Sequence, residues 1–180
     1  TIYRCDDAYF RHIEVCTPAA HPTLHAITQM TWDEIWMRPV ATQVTAELDA
    51  YREEFPLILA DLCSLPRDRA ILVEGCALLP QLLAPLAPHA RAIWFVPTPA
   101  FQRQYYSQRG FVQEILAQCR DPQAAWDNWM LRDEQFGCQV AAAAEQRGYE
   151  VVRVDGSRPT AELTALVAAH FAVRSNLAAK

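Results

Sequence analysis

The chain has 180 residues, 52% of them apolar and 21% charged, and a net charge of -5. That length and balance set the expectation of one globular domain with a substantial core and exclude a disordered chain. The acidic balance and a single lysine, Lys180, leave no basic footprint, so nucleic acid is not an expected partner.

Six cysteines (Cys5, Cys16, Cys63, Cys76, Cys119, Cys138) are scattered without a C-x-x-C pair. A chain of this size needs no staples, so reduced thiols and a cytoplasmic protein are expected. The longest apolar stretch, Cys76 to Leu86, is broken by Gln81 and two prolines and is too short to span a bilayer, so no membrane partner is expected. The chain opens on Thr1 and runs directly into strand-forming residues, which raises the expectation of a segment upstream.

Ile2 to Cys5 reads as a short strand ending in acid, Asp6-Asp7, before a helix beginning near Ala8. Asp7 in that place could cap the helix. Between His12 and Arg69 the pattern is helical and looped. Cys16, His21 and His25 have the residue types of a metal site, yet Pro22 interrupts the helix that would align them and no fourth ligand is evident. Trp32 and Trp36 share one helical face with Arg38 just beyond; the pair suits either core or the clamping of a planar or apolar molecule. Pro39 suits the first turn of a helix carrying Val40, Val44, Leu48 and Tyr51, and Pro56 is expected to end or kink it. Arg52, Glu53 and Glu54 near that junction read as a solvated charged face, with Arg52 able to reach into a site.

Ala70-Ile71-Leu72-Val73 is a continuous apolar run closing on Glu74-Gly75, the pattern of a buried parallel strand with an acid at its carboxyl tip. Ligands of open α/β sheets bind beyond those tips. If the first two strands are parallel neighbours, Asp6, Asp7 and Glu74 converge on one edge, where carboxylates can deprotonate a hydroxyl and organise Mg²⁺. A short helix over Leu78–Leu86 and a strand over Ala92–Val96 follow. A helix from Ala100 to about Gln108 then carries Arg103, with Arg109-Gly110 at its end. Asp121-Pro122 starts a long helix stopped by Gly148. Arg132 falls on its apolar stripe between Trp129 and Phe136, so it must be paired or meet a ligand. Tyr149–Val154 is the last strand, Asp155-Gly156-Ser157 a turn, and Pro159 opens a final helix through Phe171, before a tail at Ser175–Lys180 that is expected to fray.

This order, closest in YRCDDAYF, ILVEGCALLP, IWFVPTPAFQRQYYSQR, NWMLRD and VVRVDGSRPTAEL, resembles the P-loop kinases of nucleosides, nucleotides and other small molecules over most of residues 1–180. The resemblance implies a three-layer α/β/α domain with a mostly parallel sheet, a helical acceptor-binding insertion at about 8–69 and a lid-like helical region at about 100–135. It implies phosphoryl transfer from ATP, with Mg²⁺, to a small-molecule hydroxyl. Asp7 or Asp6 would be the base, and Glu74 would support Mg²⁺ through water. Arg103, Arg109 and Arg132 would grip the phosphate, the insertion with Trp32, Trp36, Arg38 and Arg52 would face the acceptor, and Asp155, Gly156 and Ser157 would lie by the adenine. No G-x-x-x-x-G-K-[ST] occurs in the sequence, and that loop supplies the backbone cradle for the phosphates. Either the loop precedes Thr1, or the third and fourth strands close the gap and the protein is a non-catalytic binding or scaffold protein that uses its aromatic insertion.

Overall fold

The computed structural model describes residues 1–86 and 92–171; the tail at Ser175–Lys180 lies outside them. Over the described residues the protein is mixed α/β and mostly helical. The elements run β1 (Ile2–Arg4), α1 (Cys5–Val15), α2 (Pro22–Thr28), α3 (Trp32–Trp36), α4 (Val40–Ser64), β2 (Leu72–Glu74), α5 (Pro80–Leu83), β3 (Ile93–Pro97), α6 (Pro99–Tyr106), α7 (Gly110–Leu116), α8 (Pro122–Glu145), β4 (Glu150–Val154) and α9 (Thr160–His170).

The four strands form two separate two-stranded sheets in place of a single sheet. β1 pairs parallel with β2, Arg4 opposite Glu74, and β3 pairs parallel with β4, Ile93 opposite Glu150. β2 and β3, which correspond to the third and fourth strands of the resembled kinases and would close the gap in a shortened relative, are not hydrogen-bonded to each other. Short strands of β-branched and aromatic residues, separated by long helices, pair in parallel because each crossover returns the chain in the same direction.

Two long helices, α4 and α8, pack on one another and carry the core. Phe55 and Ile58 of α4 bury against Tyr3, Cys5, Ala8 and Ala77 around β1 and β2, while Val44 and Leu48 meet Val140 of α8 and Leu79. Pro56 does not end α4, whose 25 residues run from Val40 through to Ser64. Proline removes one backbone donor, and burial of Phe55 and Ile58 on either side holds the helix through that loss. Asp121 caps α8 as its sequence indicates, its carboxylate accepting from the Ala124 N–H at 3.0 Å. α1 begins at Cys5, directly after Arg4, so Asp6 and Asp7 sit in the first helical turn and neither is the cap. No helix of the described residues is long and apolar enough to cross a membrane.

Candidate functional site

A cavity of about 270 Å³ opens between α1, α2, α4 and the turn after β2. Helical spacing builds its walls. Asp6, Tyr9 and Phe10 stand at i, i+3 and i+4 of α1, and Glu47, Tyr51 and Glu54 at i, i+4 and i+7 of α4, so each set faces one way. Leu24 and Ile27 of α2 close the apolar side. α2 is held there by α4: the Thr23 and Leu24 N–H groups donate to Glu53 at 3.1 and 2.8 Å, satisfying donors that His21 leaves uncapped.

The acids of this cavity differ in their partners. Glu47 accepts from the Tyr51 hydroxyl at 2.7 Å and pairs with Arg132 at 2.7 Å. Glu54 is buried, and its Oε1 meets Nδ1 of buried His12 at 2.8 Å; the other ring nitrogen lies 3.3 Å from Asp61. Asp61 also accepts from the Tyr3 hydroxyl at 2.8 Å and from Arg11 at 2.9 Å, tying β1 and α1 to α4. Burial holds the Glu54 carboxyl above the usual range, with Asp6 and Glu47 adding to the shift and His12 opposing it. Asp6 has no hydrogen-bond or ion-pair partner among the described residues. The same negative field acts on neutral neighbours: burial first, then Glu54 and Asp6, push the Cys5 thiol up to about 12.

At the tips of β1 and β2, Arg4 lies between two acids, 3.7 Å from Asp7 and 3.6 Å from Glu74. Asp7 and Glu74 are largely solvated and lie outside the cavity lining, while Asp6 is part of it. Gly75, just beyond, has φ +146°, and a side chain there would meet the Cβ of Cys5; only glycine lets the two tips approach so closely.

The residues drawn from the insertion and lid do not gather at this cavity. Trp36 is buried and stacks on Trp129 with centroids 4.1 Å apart, making it part of the core, whereas Trp32 is 38% exposed. Arg38 donates to the Ile35 carbonyl at 3.4 Å, and Arg52 pairs with Asp49 on the surface. Arg103 pairs with Asp127 of α8 at 3.0 Å. Arg109 lies over the Tyr106 ring at 4.3 Å. Arg132 is the most enclosed of these arginines, its side chain 11% exposed. It sits between Glu47 and Asp133, each at 2.7 Å, with its guanidinium 5.0 Å from the Trp36 ring centre, which satisfies the requirement its place on the apolar stripe imposed. Burial pushes the Asp133 carboxyl up to about 6 against the pull of Arg132. In the turn after β4, the Ser157 N–H and hydroxyl donate to Asp155 at 2.9 and 2.6 Å, and Gly156 lies against Phe101.

The sequence does not single out His12 or Glu47, and the reading of Glu54 as part of a solvated charged face is corrected: it is 1% exposed. The signal was present for Glu54: it falls three after Tyr51 and four before Ile58 on the apolar face of α4, the same position that singled out Arg132 on α8. His12 was not legible, because its partners lie 42 and 49 residues away. Among the described residues no group of three His, Cys, Asp or Glu side chains is placed to hold a metal ion. No protein-family model, curated protein or solved structure matches the chain.

Proposed function

We propose that the protein is the acceptor-binding body of a small-molecule kinase of the P-loop type, transferring a phosphoryl group from ATP to a hydroxyl. The carrying observation is Asp6: a carboxylate at the carboxyl tip of a parallel strand, free of partners among the described residues and facing a cavity of ligand size. A hydroxyl bound beside Asp6 would give up its proton to that carboxylate as its oxygen attacks phosphorus. General-base help of this kind contributes roughly 10²- to 10⁴-fold. Asp6 replaces Asp7 as the favoured base, because Asp7 is turned to Arg4 and to solvent. The sheet supports the same reading. In kinases of this type the strand that leads into the phosphate loop sits at the centre, and here the strands fall into two parallel pairs with no hydrogen bonding between β2 and β3.

The 180 residues supply no glycine-rich cradle for the donor phosphates, so ATP belongs to the proposal through a loop outside them. Mg²⁺ goes with the donor. Direct ligation by the described residues does not fit, and Glu74 would serve only through water, in competition with Arg4. No step is drawn through either group. Arg109, which has no acidic partner within ion-pair distance among the described residues, is the lid arginine best placed to meet a phosphate; Arg103 and Arg132 are already paired.

The test is phosphate transfer from ATP to a panel of hydroxylated small molecules by the product of the complete reading frame. Transfer that is lost in Asp6→Asn and kept in Asp7→Asn supports the reading; transfer unaffected by Asp6→Asn overturns it. The rival, a non-catalytic scaffold using Trp32 and Trp36, has less surface to work with, since Trp36 is core.

A further inference from the structure

We infer that the molecule taken into the α1/α2/α4 cavity is a cation, an amine on a compact aromatic or apolar body that also bears a hydroxyl. The inference rests on the reading above for the choice of cavity and for the hydroxyl; the amine and the compact body rest on the walls alone. Three features of the walls carry it. First, the lining contains three carboxylates and no lysine, arginine or histidine. Two of those acids are answered from behind: Glu47 by Arg132 and Tyr51, and Glu54 by His12 on Oε1.

Second, Glu54 is 1% exposed, and its hydrogen bonds among the described residues end on Oε1. Oε2 and the unpartnered carboxylate of Asp6 are the acceptors left to a ligand. A buried carboxylate with an open oxygen is satisfied best by a charged donor, and an ammonium brings three N–H groups without bringing an acceptor. A second anion here would lie beside Asp6, Glu47 and Glu54 and add repulsion, with no cationic side chain in the lining to offset it.

Third, Phe10 lines the cavity while remaining 68% exposed, beside Tyr9 in edge-to-face contact at 5.9 Å. An aromatic pair at the mouth of an acidic cavity offers apolar contact to the body of an amine and a ring face to its charge. The cavity volume limits the body to about one ring system.

The test uses this 180-residue chain and three probes that share a phenol ring but differ in charge: tyramine (cation), tyrosol (neutral) and phloretic acid (anion). Binding is followed by calorimetry and by ligand-observed NMR. Tyramine is expected to bind about tenfold more tightly than tyrosol or better, with no binding of phloretate. The tyramine preference is expected to disappear in Asp6→Asn and to weaken in Glu54→Gln, both checked for folding by circular dichroism. Equal affinity for tyramine and tyrosol, binding of phloretate as tight as that of tyramine, a preference kept in both folded variants, or no binding of any probe would each overturn the inference. Because no ATP is present, these outcomes are independent of whether the kinase reading holds: an amine bound by a protein that never binds ATP sinks that reading and leaves this one standing.

Discussion

Arg4 and Glu74 face each other across the parallel register of β1 and β2, and the guanidinium of Arg4 reaches both Glu74, at 3.6 Å, and Asp7, at 3.7 Å. The arginine therefore neutralises two of the three acids at the strand tips and leaves Asp6 as the one without a partner among the described residues. This sorting separates acids that the sequence alone leaves equivalent.

Asp6→Asn in the product of the complete reading frame should lower acceptor phosphorylation by roughly 10²-fold or more, while Asp7→Asn changes it by a few-fold at most. Both variants should unfold within about 0.5 kcal/mol of the parent in urea, since both side chains are solvated. Equal loss of activity in the two would show that the cavity does not select the base.

Arg132→Met leaves Glu47 and Asp133 without their shared counter-ion in a largely enclosed place. The expected cost is about 3–5 kcal/mol in urea unfolding. Arg132→Lys should recover only part of it, because a single ammonium does not span both carboxylates as the guanidinium does. A loss below about 1 kcal/mol in Arg132→Met would place the pair on the solvated surface.

Asp133 has a folded-state carboxyl raised from its ordinary 3.8 to about 6. The folded protein thus holds a proton that the unfolded chain has released, and stability falls as pH rises through that window. The contribution is fully present below the lower value and lost above the upper one. Asp133→Asn removes this slope, so between about pH 4 and about pH 7 the parent should lose more stability than the variant. Parallel pH profiles would contradict the assignment.

Gly75→Ala should be severe and Gly148→Ala mild. Both glycines have positive φ, +146° and +75°, but a Cβ at 75 would also lie 2.9 Å from the Cys5 sulfur, whereas nothing stands within 4 Å at 148. The second change should cost about 1 kcal/mol, the left-handed penalty alone. The first should cost well over about 2 kcal/mol in thermal or urea unfolding. Similar costs for the two would mean that the tips of β1 and β2 do not approach as described.

Local signals in the sequence located what local physics decides. The apolar runs at Ile2, Ala70, Ala92 and Tyr149 became β1 to β4 within a residue or two, and Asp121 capped α8 because an aspartate before a proline is committed to that role whatever surrounds it. The acids at the strand tips were legible for the same reason. Long-range pairing was not. Nothing within six residues of Trp36 indicates that its ring lies on Trp129, and a tryptophan pair at helical spacing serves core and ligand equally well. Pro56 looks like a terminus because the sequence shows the missing donor but not the packing of Phe55 and Ile58 that outweighs it. The division into two strand pairs depends on pairing between segments far apart in the sequence, Ile2 with Leu72 and Ile93 with Glu150, which no local pattern records.

The most direct test of the kinase reading is a calorimetric titration of ATP with Mg²⁺ into the product of the complete reading frame and, separately, into this 180-residue chain. Binding by the longer form and none by the shorter is expected, since the phosphate cradle is not among these residues. Binding by neither form would contradict phosphoryl transfer altogether, and equal binding by both would contradict the placement of the cradle outside them.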